Sequence, residues 1–106
     1  MMRLTKHLHL GGNNLSLLES GTFDNLLNLQ YLNFWGNQIS VLEDGAFDNL
    51  PNLLSLELSY NKISVLEMGI FRNLHALQYL SISDNAISVV KDDTFGNLSS
   101  LYDLDL

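Results

Sequence analysis

The chain has 106 residues, 46% of them hydrophobic, which suits one small folded domain and argues against disorder. Its formal net charge is −7, from 12 acidic and 5 basic residues, so nucleic acid and anionic membrane are disfavoured partners and a basic protein surface is a better match. There is no cysteine, which excludes disulfides, thiolate metal sites and cysteine nucleophiles.

Read in chain order, the first element is a short strand marked by Leu8 and Leu10, with His7 and His9 alternating against them. Asn13, Leu15 and Leu18 follow, then Phe23, Asn25 and Leu26. The same series starts again 24 residues later with Leu32 and Phe34, then Asn37, Ile39, Leu42, Phe47, Asn49 and Leu50. A third unit repeats it as Leu56, Leu58, Asn61, Ile63, Leu66, Phe71, Asn73 and Leu74. A fourth gives Leu80, Ile82, Asn85, Ile87, Val90, Phe95, Asn97 and Leu98, and a fifth begins at Leu104 and Leu106. No gap interrupts the columns. Pro51 is the only proline, no Gly/Ser linker breaks the chain, and 1–106 reads as one domain.

Each column has a physical role. Alternation around Leu32 and Phe34 makes a strand with one buried face, and units that all run the same way stack into a parallel sheet. The recurring Asn stands where the strand must turn, and its side chain can satisfy turn backbone groups. Stacked Asn13, Asn37, Asn61 and Asn85 form a ladder, and Phe23, Phe47, Phe71 and Phe95 a second spine near the back. Gly21, Gly45 and Gly69 recur with the period and serve the back turn, where Asp93 replaces glycine in the fourth unit. The segments around Phe-x-Asn-Leu are too short for helices, so 3₁₀ turns or irregular backbone are expected.

The unit, L-x-x-L-x-L-x-x-N-x-I-x-x-L-x-x-x-x-F-x-N-L-x-x, resembles the leucine-rich repeat family in its 24-residue form, over nearly the whole chain. The first unit departs from it with Thr5 where later units have Leu29, Leu53, Leu77 and Leu101. The resemblance implies an α/β repeat solenoid: an open right-handed horseshoe of about four repeats plus a partial fifth, with a parallel concave sheet, an irregular convex side and little true helix. It also implies protein recognition on the concave face of an extracellular receptor or adhesion ectodomain, of the Toll-like receptor, Slit or variable lymphocyte receptor type. A structural spacer within a larger solenoid and an intracellular interaction domain are the alternatives.

On that face the first row is His7, His9, Gly11 and Gly12, and the second Tyr31, Asn33, Trp35 and Gly36. The third is Ser55, Glu57, Ser59 and Tyr60, the fourth Tyr79, Ser81, Ser83 and Asp84, and the fifth begins at Asp103 and Asp105. Every Phe falls in a consensus column, whereas the single Trp takes an open one, as do Tyr31, Tyr60 and Tyr79. Trp and Tyr are the residues that dominate binding hot spots. The candidate partner-binding set is therefore Tyr31, Asn33, Trp35, Glu57, Tyr60, Tyr79, Asp84, Asp103 and Asp105. Its acidic end would steer a basic partner, or would simply be a solvated surface.

Other chemistry finds no support. His7 and His9 could supply two zinc ligands, but the neighbouring row offers Asn33 rather than a third. No nucleophile–base–acid set, phosphate loop or cofactor motif occurs, so no enzyme, metal site or cofactor is expected. No run approaches the ~18 apolar residues of a membrane span, and Met1–Leu10 shows no signal-peptide pattern. Asn14-Leu15-Ser16 and Asn97-Leu98-Ser99 are glycosylation sequons. Core leucines and strand edges reach both ends without a polar cap, so a longer parent solenoid is expected, with end-to-end self-association the alternative.

Overall fold

A computed structural model of the protein describes residues 4–106, so the first three residues of the 1–106 domain lie outside it. Five three-residue strands, β1 (His7–His9), β3 (Tyr31–Asn33), β5 (Ser55–Glu57), β7 (Tyr79–Ser81) and β9 (Asp103–Asp105), pair in that order into one parallel sheet. The register equals the sequence period: His7 pairs with Tyr31, Tyr31 with Ser55, Ser55 with Tyr79 and Tyr79 with Asp103. Every column of the repeat is thus its own neighbour in space. The ladder runs past the strands, with Gly36 N–H donating to Ser59 carbonyl at 3.2 Å and Tyr60 N–H to Ser83 carbonyl at 3.1 Å.

A second set of two-residue strands lies on the return path. β2 (Leu17–Leu18) pairs with β4 (Val41–Leu42), and β6 (Val65–Leu66) with β8 (Val89–Val90), all parallel. Their second position buries Leu18, Leu42 and Leu66, while their first leaves Leu17, Val41 and Val89 exposed.

The core is the inside of the coil. Leu29, Leu53 and Leu77 are fully buried with Leu32, Leu56 and Leu80 of the strands and Ile39 and Ile63 beyond them. The phenylalanines form a continuous stack: Phe23 to Phe47 at 6.4 Å, Phe47 to Phe71 at 5.9 Å and Phe71 to Phe95 at 6.1 Å between ring centroids. Offset stacks at this spacing add to the burial of each ring.

The asparagine ladder forms as its chemistry requires. Asn61 is buried; its Oδ1 accepts from Ile39 N–H in the preceding unit at 3.0 Å, and its Nδ2 donates to the carbonyls of Phe34, Leu58 and Ser59. Asn37 and Asn85 make equivalent bonds one unit earlier and one later. Each amide therefore closes its own turn and clips it to the unit before. Asn13, at the exposed start of the ladder, makes one side-chain bond among the described residues, to Gly11 carbonyl at 3.3 Å.

No α-helix occurs among the described residues, and the convex side is made of turns. The carbonyls of Gly21, Gly45, Gly69 and Asp93 accept from the N–H three residues on, at 3.0–3.2 Å. All four have positive φ, 82°, 85°, 74° and 59°, which explains glycine in three of them and makes Asp93 the costly member of the column. Across these turns Arg72 forks to Asp44 at 2.7 Å and Asp48 at 2.8 Å, and Asn49 donates to Asp24 at 2.5 Å.

Candidate protein-binding face

The outer face of the five-stranded sheet carries two in-register rows. One is His7, Tyr31, Ser55, Tyr79 and Asp103; the other is His9, Asn33, Glu57, Ser81 and Asp105. The rings of His7 and Tyr31 stack at 4.5 Å with 12° between their planes. Just past the strands, Trp35 and Tyr60 meet at 5.1 Å with their planes tilted by 52°. Both remain 51% exposed, so the pair forms a single apolar platform open to solvent.

Tyr60 adopts a left-handed backbone, φ 57°, and Asp84 follows at 54°. The same column holds Gly12 and Gly36, at 71° and 72°. A bulky L-residue there is strained by on the order of 1–3 kcal/mol. The fold accepts this cost at the position that places the phenol ring against Trp35.

Two candidate residues brace the surface from within. Asn33 Oδ1 accepts from Trp35 N–H at 2.8 Å, and Glu57 Oε1 accepts from Ser59 N–H at 2.9 Å, each closing a local turn two residues on. Glu57 also accepts from the Ser59 hydroxyl, and Tyr79 donates to its other oxygen at 3.4 Å. The Ser59 and Ser81 hydroxyls lie 2.5 Å apart, Ser83 donates to Ser59, and Ser81 donates to Asp105 at 3.4 Å. Partial burial, reinforced by the Glu57 and Asp105 carboxylates, pushes the Tyr79 phenol above its ordinary range, so it stays a protonated donor.

Placement of Ser59 and Ser81 as open, ligand-facing positions is corrected. They are 4% and 1% exposed, because their hydroxyls are drawn into the network that joins Glu57 to Asp105. Asp84, Asp103 and Asp105 are exposed, and Glu57 and Tyr79 half-buried. Among the described residues, ion pairing is confined to Arg72 with Asp44 and Asp48, on the back turns.

The leucine-rich repeat family model matches residues 3–63 and again 51–106. The chain belongs to the leucine-rich repeat family. Among solved structures, a chain of the glycosylated Toll–Spatzle complex, described as a molecular hub in Drosophila development and innate immunity, is similar over 95% of this chain. The TM-score is 0.92 and the sequence identity 29%. This leucine-rich repeat chain spans 14% of that protein's length. No curated protein sequence matches.

In the leucine-rich repeat frame the outer sheet face is the concave face, and it brings the candidate residues onto one surface in two groups. Tyr31, Asn33, Trp35 and Tyr60 occupy the earlier units, and Tyr79, Asp84, Asp103 and Asp105 the later ones, with Glu57 between. The strain at Tyr60 and Asp84 had a sequence signal, since Gly12 and Gly36 share their column.

Proposed function

We propose that this leucine-rich repeat segment recognises a partner protein through its concave face, as part of an extracellular receptor or adhesion ectodomain. The observation that carries the reading is the Trp35–Tyr60 platform. Two large amphipathic rings stand half in solvent, and one of them, Tyr60, holds a left-handed backbone in a column where the first two units have glycine. Rigid exposed Trp and Tyr give large contact area at small entropic cost, which makes them hot-spot residues. The family's solenoid, built for interaction surfaces, supports the same reading, as does the likeness to a chain of a two-protein complex.

The test pairs Trp35→Ala with Tyr60→Gly. Glycine suits the left-handed backbone at 60, so the fold stays intact while the platform disappears. The chain is screened against an arrayed panel of secreted and membrane ectodomains, and the affinity of each hit is remeasured with the variant. Loss of a hot spot worth about 2 kcal/mol weakens binding roughly 30-fold. Hits that bind the variant as tightly as the wild type rule out the concave platform.

The ectodomain placement has its own check at Asn14. This residue is exposed, lies in a sequon and makes no side-chain hydrogen bond among the described residues. The native product is expected in medium or membranes, with a mass that falls on glycosidase treatment. An unglycosylated cytosolic product would instead favour the intracellular interaction domain.

A further inference from the structure

Charge on the concave face is one-sided. From the second unit onward its outward columns hold Glu57, Asp84, Asp103 and Asp105 and no Lys or Arg. None of these four carboxylates forms an ion pair with a described residue. Glu57 and Asp105 are held instead by neutral hydroxyl donors from Ser59, Tyr79 and Ser81, which fix the oxygens in place without cancelling their charge. Asp103 and Asp105 project from the same side of β9, and Glu57 stands two strands away. Strand spacing is about 4.8 Å, so these charges lie within about one Debye length of each other and repel. A cation seated among them relieves that repulsion.

The apolar platform sits beside this acidic region. Trp35 follows β3 and Tyr60 follows β5, while Asp103 and Asp105 lie on β9. Two to three strand spacings separate the platform from β9, about 10–14 Å across the sheet, and the platform stands two to five residues farther along the strands than Asp105 and Asp103, so about 14–20 Å lies between them. An extended peptide rises about 3.3 Å per residue and covers that distance in about four to six residues.

We propose that the concave face binds an extended segment of a partner protein that sets an apolar or aromatic side chain on Trp35 and Tyr60 and, about four to six residues away, a Lys or Arg against Asp103 and Asp105, with Asp84 adding to the field between them. This rests on the concave reading above and specifies the chemistry of its ligand. Arginine fits best, because its planar guanidinium pairs with carboxylates at two points. The cation also supplies the one charge type the face lacks.

The test is selection of an unbiased phage-displayed dodecapeptide library on the 106-residue chain, followed by affinity measurements on the enriched peptides. Two variants are compared with the wild type: Trp35→Ala with Tyr60→Gly, and Asp84→Asn with Asp103→Asn and Asp105→Asn. Asparagine preserves side-chain shape and tolerates the left-handed backbone at 84, and circular dichroism checks both folds.

Enriched peptides are expected to carry an apolar residue about four to six positions from Lys or Arg. They should weaken at least about tenfold with either variant, and bind less tightly as salt rises. Peptides that need Trp35 and Tyr60 but show no basic enrichment, and bind the asparagine variant unchanged, overturn this proposal and leave the concave reading standing. Peptides indifferent to both variants overturn both. A dimer in sedimentation that is lost on mutating the platform identifies the occupant as a second copy and also overturns the proposal.

Discussion

Phe71→Ala is expected to destabilise the chain by about 4 kcal/mol and to lower its thermal midpoint by more than 10 °C. The ring is fully buried and stacked between Phe47 at 5.9 Å and Phe95 at 6.1 Å. Truncation therefore removes the transfer free energy of a benzyl group, opens a cavity and breaks two aromatic contacts at once. Against a total stability on the order of 5–15 kcal/mol, that loss threatens the fold. The matching change at the half-exposed end of the spine, Phe95→Ala, is expected to cost roughly half as much, since solvent already reaches that ring. Chemical denaturation of both variants checks the ordering. Equal losses would mean that neither the buried area of the ring nor its second ring contact sets the cost. A Phe47→Ala/Phe71→Ala cycle measures the coupling directly, because rings in contact are the pairs for which additivity fails.

Asn61→Ala comes second, at about 3 kcal/mol. The side chain satisfies Ile39 N–H in the unit before and the carbonyls of Phe34, Leu58 and Ser59, all by one amide that solvent barely touches. Alanine leaves Ile39 N–H unpaired inside the coil, at roughly 1–3 kcal/mol, and takes one of two donors from each carbonyl, which keep Asn37, Asn85 and Gly36 N–H as partners. Asn61→Asp is a sharper probe. It keeps the acceptor for Ile39 N–H but turns the donor end into a second acceptor facing carbonyls, so it too should destabilise. At Asn13 the consequence differs: this residue is exposed and retains one long bond to Gly11 carbonyl, so Asn13→Ala is expected to cost under about 1 kcal/mol. Denaturant midpoints for the three variants test the argument. A costly Asn13→Ala, or a harmless Asn61→Ala, would show that the ladder does not work by satisfying buried backbone.

The sequence determined the architecture because a fixed period makes local pattern and tertiary contact the same thing. Leu32 meets Leu56 and Leu80 in the sheet because they stand 24 residues apart, and the same arithmetic builds the Asn ladder and the Phe spine. The class of the convex side was legible as well, since glycines at 21, 45 and 69 mark turns that need positive φ. What the period could not carry is anything that depends on how unlike neighbours in the variable columns meet. Tertiary structure alone decided that Ser59 and Ser81 sink into a network with Glu57 and Asp105, and that Asn33 and Glu57 turn back to hold the next turn. It likewise decided that Arg72 bridges Asp44 and Asp48 across the back, and that Tyr60 lays its ring on Trp35. Consensus positions repeat, so one unit predicts the next; side chains on the open face differ from strand to strand, and their hydrogen bonds and ring contacts exist only once the strands are side by side.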